Sequence, residues 1–242
     1  MSTAENTQTA WNDTDAIVAI LFALFTVSGG ILARFSGAAL DEPIALNAAH
    51  VLAMLLPAAF VVALITKKLV QNRITFRSLF GIQDPVREVM QGLIFGVLAV
   101  PATLTIAYLT GLAITHFTGA PPAPQTIMRS IMMEKTPLPI AGAVLLISIT
   151  FVPFAEEVLY RGILVSVLKR RRGRLFAIFT SSLFFGFLHL SPVNTVSLCL
   201  LGVAFAVLYL RSGSLLTSIA MHAAFNATNL MLLTLPQSAF VR

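Results

Sequence analysis

Apolar residues along this chain come in long unbroken runs, and most polar residues fall between the runs instead of recurring every three or four positions within them. The runs lie near 16–33, 44–66, 89–116, 139–168, 175–190, 195–210 and 214–235. Segments of this length and composition read as membrane-crossing helices, because a backbone in lipid must satisfy its own hydrogen bonds. The pattern therefore predicts an all-α, polytopic transmembrane helix bundle of about seven to eight spans.

Two breaks divide the chain. Residues 69–88 form an amphipathic stretch, and 118–138 form a proline-rich connector through which no helix continues. The expected organisation is a polar tail at 1–14, N-terminal transmembrane helices with their loops over 15–137, a C-terminal transmembrane core over 138–235 and a short tail at 236–242. The first residues lack the basic region and small-residue cleavage site of a secretory signal, so the first helix is expected to stay in the protein. No internal repeat argues for the inverted halves of a transporter.

Composition agrees with a membrane protein: 57% of residues are hydrophobic and only 11% are charged. A net charge of +6 invites a nucleic-acid reading, but the placement of the basic residues points elsewhere. Lys67, Lys68, Arg73, Arg77 and Arg87 lie together, as do Lys169, Arg170, Arg171, Arg172 and Arg174, with Arg211 between the last two spans. These alternate loops belong on the cytoplasmic side, which puts the N-terminus inside and predicts contact with anionic lipid and no nucleic-acid partner. The size and N-terminal type predict a prokaryotic cell membrane. The single cysteine, Cys199, excludes a disulfide framework and a thiolate metal cluster, and reads as a small core residue.

Against this background the acidic residues separate sharply. Glu5, Asp13, Asp15, Asp41, Glu42, Asp84, Glu88 and Glu134 fall in tails or loops, and only Glu156 and Glu157 lie within a span. An ionised group at mid-bilayer costs on the order of 3 kcal/mol, which makes such a position a candidate functional site. Glu157 and Arg161 are four apart with the acid N-terminal to the base, the favourable order for a helical ion pair. Glu157 reads equally as the counter-ion of Arg161 and as a chemical group. Glu156 lies about 100° further round the helix and is the carboxylate left over, suited to take a proton from water. Tyr160, four residues on from Glu156, reads either as an orienting hydroxyl or as an interface anchor.

Later spans add more polar groups. Phe185 and His189 share one helical face, and so do His222 and Asn226. A lone helical histidine is usually a packing residue, but depth makes these a set. At about 1.5 Å per residue, Glu156 lies roughly 19 Å from Lys169, His189 roughly 22 Å from Arg174, and His222 and Asn226 roughly 16 to 22 Å from Arg211. Three helices thus bring polar groups to one level. His50 and His116 sit at span ends and read as interfacial, and Gly92 and Gly96 read as a close helix-packing motif.

The ordered set Glu156-Glu157-x-x-x-Arg161, Phe185-x-x-x-His189 and His222-x-x-x-Asn226 resembles the motifs of the CAAX protease and bacteriocin-processing family, also called Abi, over roughly residues 138–235. The resemblance implies an intramembrane endopeptidase that cleaves a peptide or membrane-protein substrate with an activated water. Glu156 would be the general base, His189 its partner in holding the water, and His222 and Asn226 the stabilisers of the oxyanion. Glu157 and Arg161 would support them, with Tyr160 and Phe185 alongside. Members are often called metalloproteases, and Glu156, His189 and His222 would be the ligands of a divalent metal such as zinc. The residues permit that set without compelling it, since no H-E-x-x-H spacing is present. Family members typically have eight spans, so an eighth helix is sought in 69–88 or 118–138. The competing reading is a non-catalytic immunity or scaffold protein that binds a peptide in the same cavity, with a proton or ion transporter as a third.

Overall fold

A computed structural model describes residues 10–35, 46–120 and 136–234. Its elements are α1 (Asp13–Phe35), α2 (Ala48–Asn72), α3 (Phe76–Leu79), α4 (Pro85–Thr118), α5 (Leu138–Ile149), α6 (Phe151–Glu157), a π-helical stretch (Val158–Val165), α7 (Ser166–Arg172), α8 (Arg174–Leu188), α9 (Pro192–Ser212) and α10 (Leu215–Thr234). The described residues contain helices and connections and no strand. By length and composition, among the described residues four helical rods can cross a membrane: α2, α4, α9 and the continuous rod α5–α7. Their outward surfaces are apolar, as on α4, where Leu93, Phe95, Leu98, Leu109 and Leu112 are exposed. In lipid such side chains are solvated by acyl chains.

The bounds depart from the apolar runs in three places. α2 continues past 66 to Asn72 because Lys68 is neutralised inside the protein by Asp15, at 2.6 Å. The helix then stops at Arg73, which adopts a left-handed φ of 50°. α8 spans 15 residues, about 22 Å, and ends at Leu188, short of the ~30 Å hydrocarbon thickness. The region 69–88 holds the four-residue helix α3, too short to be a further span, and most of 118–138 lies outside the described residues.

The tail read as polar is anchored at its end. Trp11 is 2% exposed with Lys68 Nζ 5.8 Å from its ring, Arg170 donates to its carbonyl, and Arg171 pairs with Asp13. Across the same end of the bundle, buried Glu88 accepts from the backbone of Gln83 and Asp84 (2.8 and 3.1 Å) and from Ser214 Oγ (2.7 Å). Leu215 N donates to Phe80 O at 2.9 Å. These contacts place the start of α1, the ends of α2 and α7, the α3 segment and the α9–α10 turn on one face. Asp15 and Glu88 are thus buried anchors instead of solvated loop acids.

Small residues set the helix spacing. A Cβ on Gly92 would lie 2.5 Å from Thr217 O, and one on Gly96 2.3 Å from Met221 O, so α4 and α10 touch backbone to backbone. The pair Gly92 and Gly96 therefore packs as the sequence predicted. A Cβ on Gly186 would meet Cys199 Sγ at 2.3 Å, which fixes α8 against α9 and makes Cys199 a packing residue.

Candidate active site

The site is built where the long rod α5–α7 changes character. Pro153 lacks the N–H that would bond one turn back, the chain bends at Thr150 (φ −114°), and after Glu157 the helix widens into the π-helical stretch. Widened turns of this kind are frequent at functional sites. Glu157 is fully buried there and accepts three hydrogen bonds. Arg161 Nη1 (2.9 Å) and His222 Nδ1 (2.9 Å) donate to Oε1, and Ser218 Oγ donates to Oε2.

Arg161 is also fully buried. Its Nη2 donates to Gly202 O at 3.1 Å, and its guanidinium carbon lies 4.8 Å from the Phe185 ring, 4.9 Å from Phe205 and 5.7 Å from Tyr160. Aromatic faces stabilise a desolvated cation, so one charge ties α8 and α9 to the π-helical stretch. Tyr160 contributes through its ring, edge-on to Phe185 at 5.5 Å. It also lines a small apolar groove with Ala19 and Ala23 of α1 and Phe184 and Leu188 of α8.

Glu156 faces differently. Its side chain is 25% exposed, its buried Oε2 has no hydrogen-bond partner among the described residues, and that atom lies 3.9 Å from His222 Nε2. A carboxylate only accepts, so the bond from His222 to Glu157 puts a proton on Nδ1 and turns Nε2 toward Glu156. His222 is held flat on Phe205, with ring centroids 4.8 Å apart and an interplanar angle of 23°.

The other two expected groups sit at the margin. His189 follows the last turn of α8 and is exposed, and its Nδ1 donates to Phe185 O at 2.6 Å. That bond satisfies a terminal carbonyl of the helix and leaves Nε2 as an acceptor. His189 meets the cluster through the Phe185 ring, 4.7 Å from its own and 5.7 Å from that of His222. Asn226 Nδ2 donates to Ser148 O at 2.9 Å, which ties α10 to α5 just before the bend and leaves the amide one free N–H.

Glu156, Glu157, Arg161, Phe185 and His222 are thus brought together, with Tyr160 beside them. The expected metal set is not assembled. Among the described residues no three of His, Cys, Asp and Glu are grouped closely enough to hold an ion. His222 Nδ1 is taken by Glu157 and His189 stands beyond Phe185, so Glu156, His189 and His222 do not converge on one point.

Residues 139–228 match the family model of the type II CAAX prenyl endopeptidases, described as Rce1-like. Over this segment the chain is similar to the CAAX prenyl endopeptidases. It contains all three motifs, ends two residues after Asn226 and leaves α1–α4 outside it. No curated protein and no solved structure gave a match. The similarity of this segment supports a membrane protease-like function.

Sequence reasoning missed three residues of the cluster. Gly202 and Phe205, both on α9, belong to none of the motifs. Ser218 carried a usable signal, since it lies four residues before His222 and shares its helical face.

Proposed function

We propose that the protein is an intramembrane endopeptidase that hydrolyses a peptide bond with a water activated by Glu156. The observation that carries this is the unpartnered Glu156 Oε2 facing His222 Nε2 at 3.9 Å. That gap is too long for a direct hydrogen bond, and a turn of the quarter-exposed Glu156 side chain would open its buried Oε2 to a water shared with His222 Nε2. Glu156 accepts the proton of that water as its oxygen attacks the substrate carbonyl, and returns it to the departing amine. His189, whose Nε2 is free to accept, holds the water from the outer side.

Geometry supports a donor role for His222. With Nδ1–H held by Glu157, a second proton on the ring sits on Nε2, which faces Glu156. That N–H, with the remaining N–H of Asn226, then stabilises the oxyanion of the tetrahedral intermediate. Glu157 accepts from Nδ1 throughout and holds the ring in place.

The test is Glu156→Gln, which keeps the shape and removes the proton acceptor. Comparative proteomics of membranes carrying the wild-type or variant protein identifies precursors that accumulate uncleaved, and these become substrates for the detergent-solubilised enzyme. Cleavage should fall at least about 100-fold with an unchanged melting curve. Normal cleavage by Glu156→Gln, together with a folded and inactive Glu157→Gln, would reverse the roles of the two carboxylates. An unaltered proteome would favour the scaffold reading.

A further inference from the structure

Ser218 lies outside all three motifs, yet it is fully buried and donates to the fully buried Glu157. It sits one turn before His222 on α10, so a single helix presents two donors to one carboxylate. Ser218 takes Oε2 and His222 takes Oε1, which Arg161 shares. A carboxylate held at only one oxygen can rotate about its last torsion, and held at both it cannot. The stretch that carries Ser218 is itself fixed from behind, because Thr217 O and Met221 N lie 2.5 and 2.7 Å from where a Cβ on Gly92 would stand.

We propose that Ser218 is a positioning residue that sets the tautomer of His222 by locking the Glu157 carboxylate. The inference deepens the reading of His222 as a donor toward the Glu156 side: with Nδ1–H held by Glu157, the proton that the ring gains and donates is carried at Nε2. With Ser218 in place, Oε1 faces Nδ1, the proton stays on Nδ1, and Nε2 is directed at Glu156. Without the hydroxyl, Oε2 is a buried acceptor lacking a partner, and the carboxylate turns to recruit Arg161 or His222 to it. The Nδ1–H bond to Oε1 then weakens, and the neutral ring is free to move its proton to Nε2.

Nitrogen NMR of the ¹⁵N-histidine-labelled, detergent-solubilised full chain tests this without a substrate, since only four histidines contribute signals. His222→Asn identifies the resonance. Above the titration range, wild-type His222 should show the Nδ1–H tautomer, and Ser218→Ala should show a mixture with Nε2–H. Ser218→Thr, which keeps the hydroxyl, should match wild type. Ser181→Ala, which removes a buried hydroxyl bonded only to the Ile178 carbonyl, should match it too. If Ser218→Ala does not fold, Ser218→Thr against Ser218→Val decides, since the two differ by hydroxyl for methyl. On precursors found by proteomics, Ser218→Ala should lower kcat about 10-fold with KM unchanged and move the pH profile, and Ser218→Thr should restore both. A folded Ser218→Ala, or Val, with the wild-type tautomer overturns the proposal. Normal cleavage by Glu156→Gln would instead sink the catalytic reading and leave the tautomer result to stand alone.

Discussion

Replacing Glu157 by Gln tests what holds the bundle together. The substitution nearly preserves volume and removes a charge at a position that is completely buried and accepts from three donors. Arg161, equally buried, then keeps only the Gly202 carbonyl at 3.1 Å, the amide oxygen of the new residue, and the faces of Phe185, Phe205 and Tyr160. Breaking a buried ion pair costs about 3–5 kcal/mol, because the remaining charge is desolvated without a counter-ion. The aromatic cage returns about 1–2 kcal/mol of that at most, which leaves a net loss of about 1–4 kcal/mol. For a chain of this size, 1 kcal/mol moves Tm by about 2–4 °C, so Glu157→Gln should melt roughly 10 °C below wild type. The double variant Glu157→Gln with Arg161→Met removes the stranded charge and fills its space with an apolar side chain. It should recover about half of the loss or more. Differential scanning fluorimetry in one detergent, on wild type, both single variants and the double, is the assay. A Glu157→Gln variant that melts within about 2 °C of wild type, or a double variant no better than the single, would refute the pair as the organising contact.

Two further outcomes follow from the packing. Gly92→Ala puts a Cβ 2.5 Å from a carbonyl of α10 and should displace Ser218 and His222, lowering cleavage about 10- to 100-fold, whereas Gly142→Ala, whose Cβ meets nothing within 4 Å, should be silent; equal activities would refute the close α4–α10 contact as a determinant of the site. Asp15→Asn strands Lys68, 4% exposed, and should release the start of α1; the single tryptophan, Trp11, then shifts its emission to the red, and Lys68→Met added to Asp15→Asn should reverse the shift, while an unchanged spectrum in Asp15→Asn would show that the ion pair does not hold the N-terminal segment.

Much of the fold was legible because lipid leaves the backbone few choices. An apolar run in a membrane must be helical, so the runs located the rods, and the spacing of Glu157 from Arg161 and of Gly92 from Gly96 described contacts within one turn or along one face. What the sequence hid was tertiary or locally irregular. Trp11 and Asp15 stand in a polar stretch, and nothing near them announces Lys68 as a partner. The π-helical stretch has no compositional signal, since Val158–Val165 would serve equally well as an ordinary turn of α-helix. The end of α8 at Leu188 was masked by the apolar Leu190, although Pro192 disfavours helix in the residue before it and marks the boundary nearby.

The candidate site divides along the same line. Motif order and depth arithmetic brought Glu156 and His222 to one level, but spacing along α10 could say only that His222 and Asn226 share a face. It could not say that Asn226 would be drawn to Ser148 O, or that His222 would take Glu157 on one ring nitrogen and face Glu156 with the other. Those choices depend on where the bend at Thr150 and the widened turn after Glu157 aim two adjacent carboxylates. One is turned into a dry cluster of three donors, and its neighbour, a quarter exposed, keeps one buried oxygen without a partner among the described residues. Under the proposed function, neighbouring residues of identical chemistry take different tasks because their burial and partners differ. Exchanging the two by Gln, one at a time, therefore tests folding apart from catalysis.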